Sequence, residues 1–193
     1  MAEEAEETGQ VRKEELDPER EARRRLALAQ IRQYPDPVLR MKAREIDAPD
    51  DDIRRLVERM TGLMRDASGV GLAATQVGIL RRLFVFQPAE GETAAVLNPQ
   101  IVKRGDETAV DDEGCLSLQG VQVPVERSLE VTIEGVDETG APVSFELAEL
   151  PARVAQHELD HLDGVLILDR TTPEARREAL ATLRPRPILG ALG

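Results

Sequence analysis

Residues 151–164 read PARVAQHELDHLDG. Pro151 suits the first turn of a helix, where the N–H that proline lacks would have no partner, and Gly164 suits the position just after a helix. Leu162 is the last residue that keeps the helical spacing of apolar side chains. We therefore predict a helix that begins at Pro151 and ends before Gly164.

His157 and His161 stand four residues apart on this helix, with Glu158 between them. Four residues is just over one turn, so the two imidazoles project from one face about 6 Å apart along the axis and can share one ion. The chain holds only two histidines, and this arrangement arises by chance about once in a thousand. Two histidines that merely pack beside Val154 are geometrically possible, but the low chance of this spacing favours a metal site.

Cys115 is the single cysteine of the chain. A lone cysteine is more often an inert buried thiol, so Cys115 taken alone is ambiguous. With two imidazoles, however, a thiolate forms a three-ligand set that leaves one tetrahedral position open, as in catalytic sites. An ion in such a site lowers the pKa of a bound water toward about 7, and Glu158 is placed to act as base and then as acid. These residues predict metal-assisted hydrolysis of an amide-like carbonyl.

A glycine-rich segment, GVGLAATQVG, occupies residues 69–78. It lacks the Lys-Ser/Thr of a P-loop and the strand-then-helix context of a dinucleotide site, so nucleotide binding is rejected. Small residues allow a peptide backbone to approach closely, and the amide of Gln76 is suited to stabilise an oxyanion. A tight turn with Gln76 at the surface stays open as an alternative.

The rest of the chain predicts helices and antiparallel strands in one α+β domain. Apolar residues recur at helical spacing from Ile53 to Ala67, and Thr172 with Pro173 begins a final helix. The predicted strands are residues 82–87, 95–98 and 101–104, and a hairpin of residues 129–136 and 142–147.

Composition excludes several classes of protein. Thirty-seven acidic residues against 25 basic ones give the 193-residue chain a net charge of −12. Affinity for nucleic acid comes from cationic side chains that release counterions, so no sequence-specific nucleic-acid partner is expected. One cysteine cannot form an intramolecular disulfide, and no apolar run approaches the roughly 20 residues that span a bilayer. We expect a cytoplasmic protein without a membrane partner.

Residues 1–25 contain nine acidic and six basic side chains and only two large apolar ones. So few apolar groups cannot offset the entropy of ordering. We predict a charged extension over residues 1–25 that is disordered or a frayed helix, a catalytic domain over residues 26–170, and a C-terminal helix and tail over residues 171–193.

Three segments resemble the signature motifs of the peptide deformylase family, in the same order. They are GVGLAATQVG at residues 69–78, EGCLSL at 113–118 and QHELDHLDG at 156–164. The resemblance runs from about Ile31 to Arg170. It implies an α+β fold with antiparallel β-sheets around a central helix that carries the HELDH motif, flanked by an N-terminal and a C-terminal helix. It also implies a metal-dependent hydrolase that removes the formyl group from the N-terminal formylmethionine of nascent polypeptides and releases formate.

The resemblance assigns roles to the matching residues. The metal ligands are Cys115, His157 and His161. Glu158 is the acid and base, and the Gln76 side chain and the backbone N–H of Leu116 stabilise the oxyanion. The implied ion is ferrous iron, and thiolate and imidazole ligands also suit zinc or nickel.

Substrate contacts follow from the same resemblance. The residues that would meet the peptide backbone in a β-like manner are Val70, Gly71 and Gly114. The residues around the methionine side chain are Leu150, Arg153 and Val154, with His157. Arg153 is charged, so its aliphatic stem is expected to line the pocket while its head reaches water. The stretch after Ser117 departs from the family pattern, and no role is predicted for Gln119 or Gln122.

The expected partners are N-formylmethionyl peptides, and a monomer is expected. The resemblance also suggests a transient ribosome contact through arginines near the C-terminus, although arginines beside acidic neighbours are more typical of a solvated face. These arginines are Arg176, Arg177, Arg184 and Arg186. We further predict an ion pair between Asp160 and Arg127 that orients the ligand helix.

Two other interpretations use the same helix. A general zinc endopeptidase would cleave internal peptide bonds, but it leaves Cys115 and Gln76 without a role. A non-catalytic module would keep the ion for structure alone, and Glu158 would then have no activity to support.

Overall fold

The computed structural model describes residues 17–184, which form an α+β fold. The α-helices of this part of the chain are α1 (Pro18–Leu28), α2 (Asp51–Asp66), α3 (Glu149–Leu162), α4 (Ile167–Arg170) and α5 (Pro173–Leu183). The strands are β1 (Gly71–Ala73), β2 (Leu83–Phe86), β3 (Ala94–Arg104), β4 (Thr108–Gly114), β5 (Gln122–Ser128), β6 (Glu130–Val136) and β7 (Pro142–Ala148). Two 3-10 helices, Pro37–Arg40 and Ala74–Val77, lie in the connections.

The strands pair antiparallel in two sheets. Five of them form a sheet in the order β1-β2-β3-β6-β7, and β4 and β5 form a separate two-stranded sheet. Helix α3 packs against β1, β2, β6 and β7 of the larger sheet and against β5 of the smaller one. The helix with the two histidines is therefore central, which confirms the expected architecture.

Helix α3 is buried along most of its length, although it carries many polar side chains. It begins at Glu149, two residues before the predicted start, and ends at Leu162 as predicted. Gly164 follows with a φ of 73°, where a Cβ would collide with the backbone of Arg40. The buried polar side chains of α3 are Arg153, Gln156, Glu158, Asp160 and His161. A polar group taken out of water costs free energy unless it is paired, so the surrounding strands must supply partners.

Helix α2 follows its sequence pattern closely. The side chain of Asp50 accepts a 2.9 Å hydrogen bond from the N–H of Ile53 and caps the helix. The residues on its buried face are Ile53, Val57, Met60, Leu63 and Met64. Each fully buried side chain of this size contributes about 1.5–3 kcal/mol, so packing rather than propensity stabilises the helix.

One strand replaces two predicted ones. Residues 95–98 and 101–104 both belong to β3, whose pairing with β6 is irregular between Leu97 and Gln100. Asn98 has a φ of 50° there, and its side chain donates to and accepts from the backbone of Ile46 at 2.8 and 2.9 Å. These two hydrogen bonds hold the irregular backbone in place.

The hairpin of β4 and β5 is absent from the sequence prediction. Strand β4 exposes Val110 and buries the acidic Glu113, so its alternation of polar and apolar residues is opposite to that of an ordinary half-buried strand. Strand β2 and the β6–β7 hairpin lie where the pattern indicates, whereas the short strand β1 falls in the glycine-rich segment for which no strand was predicted.

Of the two predicted states, disordered chain is wrong for residues 18–25, which form most of the helix α1. The side chain of Asp17 caps the helix by accepting from the N–H of Glu19 at 3.2 Å. Ala27 and Leu28 are buried in the core cluster that includes α2. The apolar residues that hold this helix against the core thus lie just after residues 1–25, the charged stretch on which the prediction was based.

Residues 1–16 of the expected extension and residues 185–193 of the expected tail lie outside the described residues, and Arg186 is among the latter. The domain boundaries at residues 25 and 170 stay predictions. Helix α5 begins after Thr172 as predicted, and the hydroxyl of Thr172 accepts from the N–H of Ala175.

The core is aliphatic except for one small aromatic cluster. The rings of Phe84 and Phe86 meet edge to face with centroids 5.3 Å apart, and Phe86 and Phe145 meet likewise at 5.5 Å. Among residues 17–184, no helix combines the length and apolar character needed to cross a bilayer.

Asp169 fastens the short helix α4 to the segment before α2. Its carboxylate accepts a 2.9 Å hydrogen bond from the N–H of Leu166 and pairs with Arg40. Burial raises the pKa of Asp169, but the hydrogen bonds from Arg40 and Leu166 outweigh it and lower that pKa below its usual value. A depressed folded-state pKa stabilises the fold above the unfolded pKa of about 3.9, and this stability is lost as the pH falls through the folded value.

We expect Asp169→Asn to lower the free energy of unfolding by about 1 kcal/mol at pH 7 and by progressively less as the pH falls below about 3.9. Urea unfolding of both proteins across this pH range measures the difference. Asp47→Asn is the matched control, because Asp47 is exposed and makes no ion pair with any described residue. A loss at pH 7 no greater than that of the control would contradict the assigned role.

Candidate metal centre

Helix α3 and the loop after β4 bring three soft ligand atoms together. The sulfur of Cys115 and one ring nitrogen each of His157 and His161 lie within 4.8 Å of one another. Nε2 of His161 is 3.2 Å from Sγ of Cys115 and 3.2 Å from Nε2 of His157. A thiol and two imidazoles converging on one point fit a divalent transition-metal ion.

Glu113 orients the ring of His157 through the nitrogen that points away from Cys115 and His161. Nδ1 of His157 lies 3.0 Å from Oε2 of Glu113. An Nδ1–H donated to this carboxylate leaves the Nε2 lone pair directed at Cys115 and His161, as a ligand requires. Burial lowers the pKa of His157, but hydrogen bonds with Cys115 and Glu113 raise it well above its usual range. Burial, with the charges of His157 and Arg127, lowers the pKa of His161 well below its usual range.

Glu113 is itself held by two arginines. Arg127 donates two hydrogen bonds to its carboxylate, at 2.9 and 3.0 Å, and Arg153 donates a third at 2.9 Å. Burial raises the pKa of Glu113, but the bonds from His157 and Arg127 lower it to about 2. Glu113 is therefore an anion at neutral pH despite being 5% exposed.

Sequence reasoning gave no role to Glu113. The residue belongs to the EGCLSL segment and precedes Cys115 by two positions, which is the only local signal of its importance. Its partners Arg127, Arg153 and His157 are 14 to 44 positions away, so only the fold shows that they converge on it.

The predicted ion pair of Asp160 with Arg127 is confirmed at 2.6 Å. Asp160 also accepts two hydrogen bonds from Arg170, at 3.0 and 2.6 Å. Burial lowers the pKa of Arg127, but Glu113 and Asp160 outweigh it and raise that pKa. Arg127 thus links α3, through Asp160, to β4, through Glu113.

Glu158 lies at the same centre with an unpaired oxygen. It is 3% exposed, and its Oε2 has no hydrogen-bond partner among residues 17–184. Burial raises the pKa of Glu158 to about 7. A carboxyl group with this pKa can take up and release a proton near neutral pH, as general acid–base catalysis requires.

Gln76 lies inside the site rather than at the surface, which removes the turn alternative. Its Oε1 accepts a 2.8 Å hydrogen bond from the N–H of Ala73, which directs the NH2 group toward Cys115 and Ser117. The buried Ser117, which sequence reasoning did not single out, accepts from this NH2 at 3.2 Å. The backbone N–H of Leu116 donates to no acceptor within the described part of the chain. Two donors therefore lie beside Cys115: the N–H of Leu116, which has no acceptor among residues 17–184, and the NH2 group of Gln76, which is held by Ser117.

A groove of about 800 Å³ opens onto this centre. All six residues predicted to contact substrate line it: Val70, Gly71, Gly114, Leu150, Arg153 and Val154. Gln119 and Gln122, for which no role was predicted, line it too. The side chains of Val70 and Leu150 are partly exposed in the groove at 40% and 59%, and they offer apolar contact at its mouth.

The expectation for the head of Arg153 is wrong. Its guanidinium does not reach water: besides Glu113 it binds the carbonyl oxygens of Val125 and Ala109 and the carboxylate of Asp111, at 2.8 to 2.9 Å. The side chain is only 10% exposed. A buried cation needs several acceptors, and strands β4 and β5 supply them.

The sequence family described as polypeptide deformylase matches residues 28–177. The chain belongs to the polypeptide deformylase family. It is 41% identical to the peptide deformylase of Desulforudis audaxviator, over 79% of this chain and 99% of that protein. It is 43% identical to peptide deformylase 1B, chloroplastic/mitochondrial, of Arabidopsis thaliana, over 81% of this chain, and the match spans 60% of the Arabidopsis protein.

The fold agrees with that of a solved deformylase. The crystal structure of peptide deformylase from Thermotoga maritima superimposes with a TM-score of 0.71 at 44% identity, covering 74% of this chain and 97% of that one. Polypeptide deformylases remove the N-terminal formyl group from nascent polypeptides and depend on a metal. This deformylase chain is therefore a metallo-amidohydrolase of protein N-terminal processing.

We expect Glu113→Gln to weaken metal binding by about 10- to 100-fold, because a neutral amide orients His157 less firmly than a carboxylate. Competition with a chromophoric chelator measures the affinity. Asp111→Asn is the matched control, since Asp111 binds the same Arg153 but is 65% exposed. Equal metal affinity in Glu113→Gln and the control would refute the orienting role.

Because Gly71 has no side chain, the carboxyl group of Glu158 can occupy the space beside it. A Cβ at this position would collide with Oε1 of Glu158 and would lie 2.9 Å from its Cδ and 2.8 Å from Val154. We expect Gly71→Ala to lower the rate of deformylation by about 10- to 100-fold, since displaced catalytic groups lose their alignment. Gly62→Ala, where a Cβ meets nothing within 4 Å, should retain the wild-type rate in the same formate-release assay.

Proposed function

We propose that this chain hydrolyses the formyl amide of an N-terminal formylmethionine at an ion held by Cys115, His157 and His161. The observation that carries the proposal is the convergence of these three ligand atoms beside the buried carboxyl of Glu158 at the end of a peptide-sized groove. In the balanced reaction, water adds across the formyl C–N bond and yields formate and a free methionine amine.

The cofactor is proposed to be ferrous iron, with zinc or nickel as alternatives that the same ligands accept. When bound, such an ion supplies Lewis acidity that polarises the formyl carbonyl and makes a water molecule easier to deprotonate. Glu113 contributes by keeping Nδ1 of His157 occupied, so that Nε2 is free to coordinate.

Glu158 moves the proton. Its raised pKa of about 7 lets the carboxylate accept a proton from the attacking water and then deliver it to the departing amine. The wall formed by Gly71 and Val154 keeps the group away from bulk water. Burial therefore sets both the position and the proton affinity of this side chain.

Gln76 and Leu116 stabilise the developing oxyanion. The NH2 group of Gln76 is aimed by the bond that its Oε1 accepts from Ala73. The N–H of Leu116 is adjacent to Cys115 in the chain and lies on the same loop. Donors fixed before the reaction begins stabilise the new charge without reorganising.

The peptide binds as an added strand. Strand β1 is at the edge of the five-stranded sheet, and its first residue, Gly71, lines the groove. Val70, Gly71 and Gly114 would meet the peptide backbone there, as in other β-augmentation sites. Leu150, Val154 and the stem of Arg153 would surround the methionine side chain.

We place the protein in the cytoplasm as a monomer, in keeping with its single free cysteine. A ribosome contact through α5 stays a secondary proposal. Arg176 and Arg177 pair with Asp169 and Glu174, as on a solvated face, while Arg184 is exposed.

We expect the ion-loaded protein to release formate from formyl-Met-Ala-Ser, and Glu158→Gln to lower kcat by about 10²- to 10⁴-fold with its metal content retained. Metal analysis of protein purified without oxygen, followed by a formate assay, measures both quantities. Glu149→Gln on the same helix is the matched control, because Glu149 is exposed and does not line the groove.

Absence of formate from fully loaded protein would overturn the proposal. Cleavage of internal bonds in an acetylated peptide would favour the endopeptidase interpretation instead. An unchanged kcat in Glu158→Gln would remove Glu158 from the mechanism.

A further inference from the structure

Helix α1 contributes a cationic side chain, Arg24, to the groove, and this residue precedes the segment that matches the family. The match begins at residue 28, whereas α1 spans Pro18–Leu28. Two of its residues, Arg24 and Leu28, nevertheless line the groove that opens onto the metal centre. They are four positions apart and so lie on one face of the helix.

Two contacts fix the position of Arg24: the packing of Leu28 one turn later in α1, and a hydrogen bond from the Arg24 side chain. Leu28 is 7% exposed and packs with α2 in the core, which fixes the last turn of α1. Nε of Arg24 donates a 3.4 Å hydrogen bond to the carbonyl oxygen of Ala67, just before the segment Ser68–Val70 that borders the groove. No carboxylate of residues 17–184 lies within ion-pair distance of the Arg24 guanidinium.

The two faces of β1 have different neighbours. Gly71 faces α3, since a Cβ there would meet Val154 and Glu158. Leu72, the next residue, packs with α1 and α2 in the other cluster of the core. Along the edge strand, Gly71 therefore faces α3 and the catalytic centre, whereas Leu72 faces α1, the helix that carries Arg24.

A peptide added to this edge has a defined direction. Its formyl end must lie near Gly71, beside Glu158 and Cys115. Beyond Gly71 in one direction, Leu72 and Ala73 are fully buried, whereas in the other direction residues 68–70 are accessible. The peptide therefore leaves the centre along residues 70, 69 and 68, toward Ala67 and Arg24.

Alternation along the added strand then assigns side chains to faces. Successive side chains of a strand point to opposite faces of a sheet. If the methionine side chain points toward α3, the side chain of the next residue points toward the face of α1 and α2. That face carries Arg24, while Asp112, the exposed acid of the groove, lies on β4 near Leu150 and Arg153.

We propose that Arg24 is a specificity-determining residue that favours an acidic side chain directly after the formylmethionine. The proposal rests on the proposed function, because it uses the peptide path derived there. An exposed arginine beside an acidic side chain forms an ion pair of modest strength that salt weakens.

The test compares kcat/KM for formate release from amidated peptides that differ only at their second residue: formyl-Met-Glu-Ser, formyl-Met-Gln-Ser and formyl-Met-Lys-Ser. We expect the glutamate peptide to exceed the glutamine peptide by about two- to fivefold at low salt, the range of one exposed ion pair, and the lysine peptide to be slowest. Arg24→Gln should reduce the glutamate-to-lysine ratio, and Arg24→Glu should invert it.

Arg23→Gln is the matched control, because Arg23 is exposed on the same helix, carries the same charge and does not line the groove. It should retain the wild-type ratio, and peptides with the acid at the third residue should show no dependence on Arg24. An equal change in Arg23→Gln, an unchanged ratio in Arg24→Gln, or a preference at the third residue instead would overturn the inference. Formate release without any preference refutes the role of Arg24 alone, whereas no release from any of the peptides refutes the proposed function as well.

Discussion

The buried carboxylate of Glu113 is the interaction on which the rest of the site depends. Two guanidinium groups and one imidazole converge on it, from β5 and from two turns of α3. Removing the carboxylate would take an acceptor from two buried guanidinium groups, and breaking a buried ion pair in this way costs about 3–5 kcal/mol. The network therefore holds the smaller sheet, the ligand helix and the ring of His157 in a single arrangement.

This constraint explains how a helix can be central and yet polar. In most domains, a helix surrounded by strands carries apolar side chains. Helix α3 instead buries Arg153, Gln156, Glu158, Asp160 and His161, and nearly all of their polar atoms are paired with neighbouring elements. The exceptions are Oε2 of Glu158 and Nδ1 of His161, which find no partner within residues 17–184. An unpaired buried carboxylate oxygen is unusual, and it agrees with the proton-transfer role proposed for Glu158.

The features that the sequence predicts correctly are those that depend on residues close together in the chain. The spacing of His157 and His161, the cap of α2 and the alternation of β6 and β7 each depend on residues within one turn or one hairpin. Sequence reasoning failed where distant residues decide the outcome. The buried head of Arg153 requires acceptors on β4 and β5, the order of α1 requires burial of Leu28 against α2, and Glu113 is understood only once its partners are in place. Cys115 is an intermediate case, since resemblance identified it as a ligand although its own surroundings in the sequence did not.

The positions of the three proposed ligands in the chain also have a consequence for folding. Cys115 lies in the loop that directly follows β4, whereas His157 and His161 belong to α3, which packs against both sheets. An ion bound by both would close a long loop of chain by a link that chelation can open, and loop closure restricts the unfolded ensemble. The lifetime of the folded enzyme in the cell would then follow the supply of its metal, so that scarcity of the ion removes the protein as well as its activity.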